Sequence, residues 1–261
     1  MSDEKLNSRR KFLAQSLQVA GGLAAGSAAA NICAPSTAQQ PLGPFFPDEG
    51  TPQKEIRESE MSPIYFANDN DLTIIRSKNG KQLAKAKGQI VTIKGVVNDK
   101  NCNPIEGAKV IIWQACTHGA YNHTGDQYNQ KFRHPKTREL ISRVLDPNFQ
   151  YWGSHVTNAR GEYSFKTVVP GFYPANLARG WFRPPHIHFL ISAKGHRQFV
   201  TQSYFTGSVL KNVDFINELN KKDFLLQDSR LSKIEKENLV VEFKKSKSGH
   251  PEGIFNIHLP S

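Results

Sequence analysis

The stretch RPPHIHF (183–189) sets His186 and His188 one residue apart in a run of β-favouring residues. Side chains of a strand alternate between its faces, so both imidazoles point one way while Ile187 and Phe189 point the other. Two imidazoles on one face can converge on a single metal ion, and equally they can be ordinary polar residues of a strand. Arg183 stands three positions before His186. A salt bridge accounts for it as well as a fixed charge beside a reacting centre does. Tyrosines stand upstream in loop-like surroundings: Tyr121 in GAYNH, after the apolar run VIIWQA, and Tyr173 in VVPGFYP, between Gly171 and Pro174. Of the other histidines, His123 is two residues from Tyr121 and can contribute to a pocket, whereas His258 alternates away from Phe255, Ile257 and Leu259 and is expected to be solvated. Trp113, Trp152 and Trp181 read as packing residues, with Trp181 near enough to Arg183 to line a pocket mouth.

Such residues need a rigid scaffold. Short runs rich in Val, Ile, Thr and aromatics recur along the chain: LTII, QIVTIKGVV, KVIIWQA, EYSFKTVV, HIHFLIS, QFVTQSYF, LVVEFKK and IFNIHL. Turn-forming stretches such as NDKNCNPIEGA, NARG and KGH separate them. The pattern predicts an all-β, antiparallel β-sandwich. One helical pattern stands out, VDFINELNKKDFLL, with Val213, Ile216, Leu219 and Phe224 at roughly helical spacing, and one or two short helices are expected in all. Ahead of the sandwich, PSTAQQPLGPFFPDEGTP has the Pro, Gly and polar content of an extended arm without its own core. The expected organisation is a leader and linker over 1–38, the arm over 39–70 and a catalytic β-sandwich over 71–261.

The leader carries Arg9 and Arg10, then Phe12 and Leu13, then a glycine-interrupted Ala/Leu run. This is the pattern of a twin-arginine export signal, with AAA (28–30) or STA (36–38) suited to a small-residue peptidase. It predicts a periplasmic or secreted protein with no stable membrane anchor. The twin-arginine route carries proteins that have already folded, often around a cofactor, so the signal itself hints at a metal loaded before export. The formal charge is +11, and removing residues 1–30 would lower it by two. The basic excess lies largely in the C-terminal third, mixed with acids and without an aromatic stacking platform, so no nucleic-acid partner is expected. Cys33 falls near the leader; for Cys102 and Cys116 a bridge and two separate thiols are both open, and no C-x-x-C zinc spacing occurs.

Tyr121, Tyr173, His186 and His188 resemble the ligand set of the intradiol ring-cleavage dioxygenases. The similarity continues in order through QQPLGPFFP, IWQA, LDPNF, GEYSFKTVVPGFYP, RPPHIHF and TQSYFTG, from about Gln39 to Gly207. It is a resemblance above all to the iron-bearing chain of the protocatechuate enzymes. It implies one Fe(III) per chain on those four residues, with Tyr121 and His188 equatorial and Tyr173 and His186 axial. It also implies a catechol-like substrate and O2, with ring cleavage between the two oxygenated carbons to a cis,cis-muconate-type diacid. Tyr173 would then be catalytic as well as a ligand, since its phenolate accepts a substrate proton. Arg183 matches the family's active-site arginine, and Gln202 in TQSYF a polar residue near the reacting centre. The residue types suit such an ion: a hard trivalent cation favours anionic oxygen, and a phenol of ordinary pKa about 10 ionises beside it. Zinc would draw more often on His, Cys and carboxylates.

Two departures bear on substrate and assembly. The connection 122–143 is longer and more basic than in the protocatechuate enzymes, as a lid or subunit contact would be. Ala175 stands where those enzymes usually have a tryptophan, which implies a wider or differently shaped cavity bordered by Ala175 and Trp181, and a substrate other than protocatechuate itself is open. A homo-oligomer or a related second subunit is compatible with the resemblance. The competing reading is an exported β-sandwich that uses the same four residues to bind iron or a catecholate ligand without turnover.

Overall fold

The computed structural model describes residues 35–47, 69–76, 82–127 and 129–260; the proposed leader and most of the arm lie outside these. The strands run β1 (Ile74–Arg76), β2 (Gln82–Lys85), β3 (Ile90–Asn98), β4 (Lys109–Trp113), β5 (Lys131–Arg133), β6 (Leu140–Ser142), β7 (Trp152–Val156) and β8 (Glu162–Val168). They continue as β9 (Tyr173–Asn176), β10 (Trp181–Arg183), β11 (His186–Ser192), β12 (Phe199–Thr206), β13 (Val240–Glu242), β14 (Lys244–Lys245), β15 (Pro251–Ile254) and β16 (Ile257–His258). Helices α1 (Val213–Asn220) and α2 (Lys233–Leu239) lie between β12 and β13.

Two sheets form the sandwich. One has the order β13-β12-β11-β4-β7; in the other β3 is central, flanked by β8 on one side and by β15 and β16 on the other. Most pairs are antiparallel, as expected, but β12–β13, β15–β3 and β16–β3 are parallel. The core lies between the sheets. Val91, Ile93 and Val97 of β3 and Tyr163 and Phe165 of β8 meet Ile187, Phe189 and Ile191 of β11 in one buried cluster, and Phe189 stacks obliquely on Phe255 with centroids 5.1 Å apart.

Burial patterns tell the two sheets apart. Along β3 buried and half-buried residues alternate strictly, the signature of a strand with one face on the core. Along β11 every residue but the last is buried. Ile187, Phe189 and Ile191 face the core, while the opposite face, carrying His186, His188 and Leu190, is covered by a second cluster of Trp113, Tyr121, Trp152 and Tyr173 with Phe45 and Phe46 from the arm.

The arm is hydrogen-bonded to both sheets of the sandwich. Thr37 N–H donates to the carbonyl of His258, and Gln40 N–H to that of Val200, at 2.9 and 3.0 Å. Thr201 Oγ1 donates to Ala38 O and Gln202 Nε2 to Pro41 O, at 2.8 and 3.0 Å.

The helix predicted over 213–226 ends earlier, at Asn220. Ile216 and Leu219 are buried as its spacing implies, but Phe224 is 55% exposed. The chain turns because the Asp223 carboxylate accepts the amides of Leu225 and Leu226 at 3.1 and 2.9 Å, replacing helical hydrogen bonds with a side-chain turn. The second helix, in a segment with only charge mixing to announce it, starts at a capping box of Ser232 and Glu235. Cys102 is disulfide-bonded and Cys116 is a free buried thiol, so these two do not bridge each other. Among the described residues no helix is long and apolar enough to cross a membrane.

Candidate active site

Strand register assembles half of the site. Residues directly opposite in adjacent strands share a face, so the pairing of His188 with Trp113 on one side and Gln202 on the other makes a row Trp113–His188–Gln202 across β4, β11 and β12. His186 faces Tyr204 in the same way. The His188 ring stacks on Trp113, centroids 4.8 Å apart and planes 13° from parallel. Its other side is approached by Gly43 of the arm, where a Cβ would come within 3.1 Å of His188 Cε1. His186 Nδ1 lies 2.7 Å from Pro184 O. A carbonyl only accepts, so the proton resides on Nδ1 and Nε2 keeps its lone pair. That Nε2 is 3.3 Å from Tyr121 Oη.

The two tyrosines arrive on interlocked loops. Cys116 O accepts the amides of both Gly119 and Gly171 at 2.9 Å, tying the loop before Tyr121 to the loop before Tyr173. Gly119 has φ 73°, and a Cβ there would collide with Phe172 O; a Cβ on Gly171 would collide with Gly119 N and Thr117 O. Only hydrogen fits at either position, and the backbones close to a distance that sets the phenols side by side. Tyr121 and Tyr173 meet edge to face at 5.7 Å, Tyr173 and His186 at 5.8 Å, and His186 and His188 at 4.9 Å between centroids.

Two buried ion pairs brace these groups. Arg143 Nη2 donates to both oxygens of Asp126, whose Oδ2 also accepts the Tyr121 amide at 2.6 Å. Arg183 sits opposite Tyr173 in the β9–β10 ladder. Its Nε donates to Asp223 Oδ2 at 2.7 Å, and its Nη2 to Gln202 Oε1 at 2.7 Å and Tyr204 Oη at 3.2 Å. Trp181 Nε1 donates to the same Asp223 oxygen at 3.3 Å.

Tyr173, His188, Arg183, Gln202, Ala175 and Trp181 border a cavity of about 510 Å3, whereas Tyr121 and His186 are not among its lining residues. A larger cavity, about 780 Å3, lies beyond Gly171 and Phe172 and holds none of the four candidate ligands. Burial raises the Tyr121 phenol well above its ordinary range, with Tyr173 adding to the shift, and burial likewise raises Tyr173. His186 and His188 are held well below the ordinary imidazole range by burial and then by the Arg183 charge. Arg183 itself is raised: burial opposes its charge, but the paired Asp223 carboxylate favours it. Left to themselves, the four ring groups are neutral donors.

The donor set fits a hard cation. Among the described residues no three His, Cys, Asp or Glu side chains cluster to hold a metal, so an ion here needs the phenols. Two atoms each about 2.0–2.2 Å from one ion lie roughly 3 Å apart when cis, close to the separation of Tyr121 Oη and His186 Nε2. His188 Nδ1 is buried without a hydrogen-bond partner, so the ring is positioned by packing alone.

All four candidate ligands, with Arg183, Gln202, Ala175 and Trp181, thus fall in one place. His123 turns instead onto Gly125, whose amide it accepts at 2.9 Å. Sequence reading did not single out Asp126, Arg143, Asp223, Tyr204, Gly43 or Phe45. Tyr204 had a signal, since it shares a strand face with Gln202. The segment 122–143, expected to form a lid or subunit contact, here supplies the Asp126–Arg143 brace.

A family profile described as Dioxygenase matches residues 61–259. The protocatechuate 3,4-dioxygenase beta chain of Burkholderia cepacia is 36% identical over 170 residues, covering 62% of this chain and 65% of that one. The catechol 1,2-dioxygenase of Acinetobacter baylyi is 30% identical over 142 residues, covering 49% of this chain and 40% of that one. The chain therefore spans less than two thirds of the length of these relatives. Among solved structures, the intradiol ring-cleavage dioxygenase from Tetranychus urticae shares the fold with a TM-score of 0.55 at 23% identity, over 87% of this chain and 95% of that one. With the profile spanning most of its length, the chain belongs to the intradiol ring-cleavage dioxygenase family.

Proposed function

We propose that this chain is a non-haem Fe(III) dioxygenase that opens a catechol-type ring between its two hydroxylated carbons. Both atoms of O2 enter the product, a cis,cis-muconate-type diacid, so no external reductant is needed. The observation that carries this reading is the meeting of two phenols and two imidazoles beside a buried arginine at a cavity wall. Held by Tyr121, Tyr173, His186 and His188, ferric iron would supply the Lewis acidity and redox couple that let a catechol react with O2.

The chain's own residues do the rest. Tyr173 borders the cavity, and its Oη, once ionised, is a base placed to take a proton from a substrate hydroxyl. Arg183 is pinned by Asp223, Gln202 and Tyr204, so its charge is in position before negative charge moves onto the substrate ring. The Nδ1–H bond to Pro184 keeps the His186 lone pair on Nε2. Phe45, Pro44, Pro174 and Leu225 give the cavity apolar walls that exclude water. The Arg9–Arg10 leader supports delivery outside the cytoplasm as part of the same reading.

The test is a metal assay of the purified protein, a visible spectrum and an oxygen electrode with a panel of catechols, the product identified by mass. Iron-bound phenolate gives a reddish chromophore, and turnover adds one O2 to the catechol. An iron-replete but colourless protein removes the phenolate ligands from the account; a coloured protein that consumes no O2 with any catechol is a binding protein.

A further inference from the structure

The charged side chains among the described residues of the cavity wall are Asp126, Arg143 and Arg183. Both guanidiniums already have a carboxylate. The Arg143–Asp126 and Arg183–Asp223 contacts are 2.7 Å each, and none of the four side chains is more than 7% exposed. Several of their other donors are committed as well: Arg143 Nε to Gly119 O at 2.8 Å and Nη1 to Gln127 O at 3.4 Å, and Arg183 Nη2 to Gln202 and Tyr204. A substrate carboxylate entering this cavity would lose its hydration and find each cation already neutralised, which is the costly way to bury an anion.

The mouth has the opposite character. Trp181 borders the cavity and lies against Phe224, ring centroids 5.1 Å apart. Phe224 is 55% exposed and Leu177, also on the cavity wall, 49% exposed. Ala175, with a small side chain, also borders the cavity. Grouped exposed apolar side chains at the opening of a pocket mark where an apolar part of a ligand is received.

We propose that this site, read as the dioxygenase centre above, selects uncharged catechols whose ring bears an apolar or aromatic substituent lying over Leu177, Trp181 and Phe224, and discriminates against ring carboxylates. The selectivity follows from the two closed ion pairs inside and the aromatic rim outside.

The experiment compares 3,4-dihydroxybenzoate, catechol, 4-methylcatechol and 4-butylcatechol with the iron-loaded full chain. Steady-state O2 uptake gives kcat/KM, and anaerobic calorimetry gives Kd without turnover. Affinity and kcat/KM are expected to rise along the alkyl series, by about tenfold from catechol to 4-butylcatechol for partial burial of the chain, and to fall at least about tenfold from catechol to the carboxylate. In Phe224→Ser the ratio of 4-butylcatechol to catechol should shrink by several-fold. Equal or tighter binding of 3,4-dihydroxybenzoate than of catechol, or a flat alkyl series, overturns the proposal and leaves the dioxygenase reading standing. Selective binding along the series with no O2 uptake supports the specificity and sinks the dioxygenase reading instead.

Discussion

The Arg143 guanidinium holds both carboxylate oxygens of Asp126, at 2.7 and 2.8 Å, while its central carbon lies 5.3 Å from the centre of the Tyr173 ring. Because Asp126 also accepts the Tyr121 amide, one buried ion pair touches both tyrosine-bearing segments. Asp126→Asn should cost about 3–5 kcal/mol, since it strands a buried guanidinium. The double change Asp126→Leu with Arg143→Met should cost less than the sum of the single ones, as urea denaturation of the four proteins will read out.

Iron retention and proton transfer should separate on mutation. His188→Ala is expected to lose the metal, measured as iron per chain. Tyr173→Phe should keep most of it, with weaker visible absorption and a lower kcat, because a base for the substrate proton is gone. Full activity in either variant would remove the role given to that residue.

Arg183→Lys tests whether shape matters as well as charge. A lysine cannot reach Asp223, Gln202 and Tyr204 with one planar head. A fall in kcat of about 10²-fold is expected, with KM moving much less.

Cys116 offers a check of packing away from the chemistry. Burial pushes its thiol up, and Sγ lies 3.3 Å from Val144 O. A raised pKa lowers the thiolate fraction at any given pH, and the thiolate is what reacts. Alkylation at pH 8 should therefore be negligible in the native protein and rapid once it is unfolded, followed by mass.

Gly119→Ala should be more damaging than its size suggests. It combines φ 73° with a collision against Phe172 O. A loss above about 1 kcal/mol is expected from the backbone conformation alone. Iron affinity should fall further than in a core variant of equal stability, because the phenols are pushed apart.

Much of this was legible in the residues. Strands such as β3 and β11 announce themselves by composition and alternation, and the shared face of His186 and His188 follows from the two-residue period. What stayed hidden depends on distance along the chain. Asp223 is 40 residues from Arg183 and Asp126 is 17 from Arg143, and an ion pair closed by tertiary folding leaves no period to read. The early end of α1 has the same origin, since helical spacing favoured continuation and Asp223 was drawn into a turn of its own. Phe45 and Gly43 lie in a segment that composition marks only as an arm, though they close over Tyr121 and His188.

The tethering of that arm limits where proteolytic trimming can fall. Thr37 is stitched to His258 through both its backbone amide and its hydroxyl, and Ala38 O is held by Thr201. A peptidase cutting after Ala38 would sever all three ties and leave the bonds at Gln40 and Pro41 to hold Gly43 and Phe45 over the imidazole and phenol they cover. If the proposed leader is removed, a cut at 28–30 leaves these ties whole, whereas one after Ala38 does not.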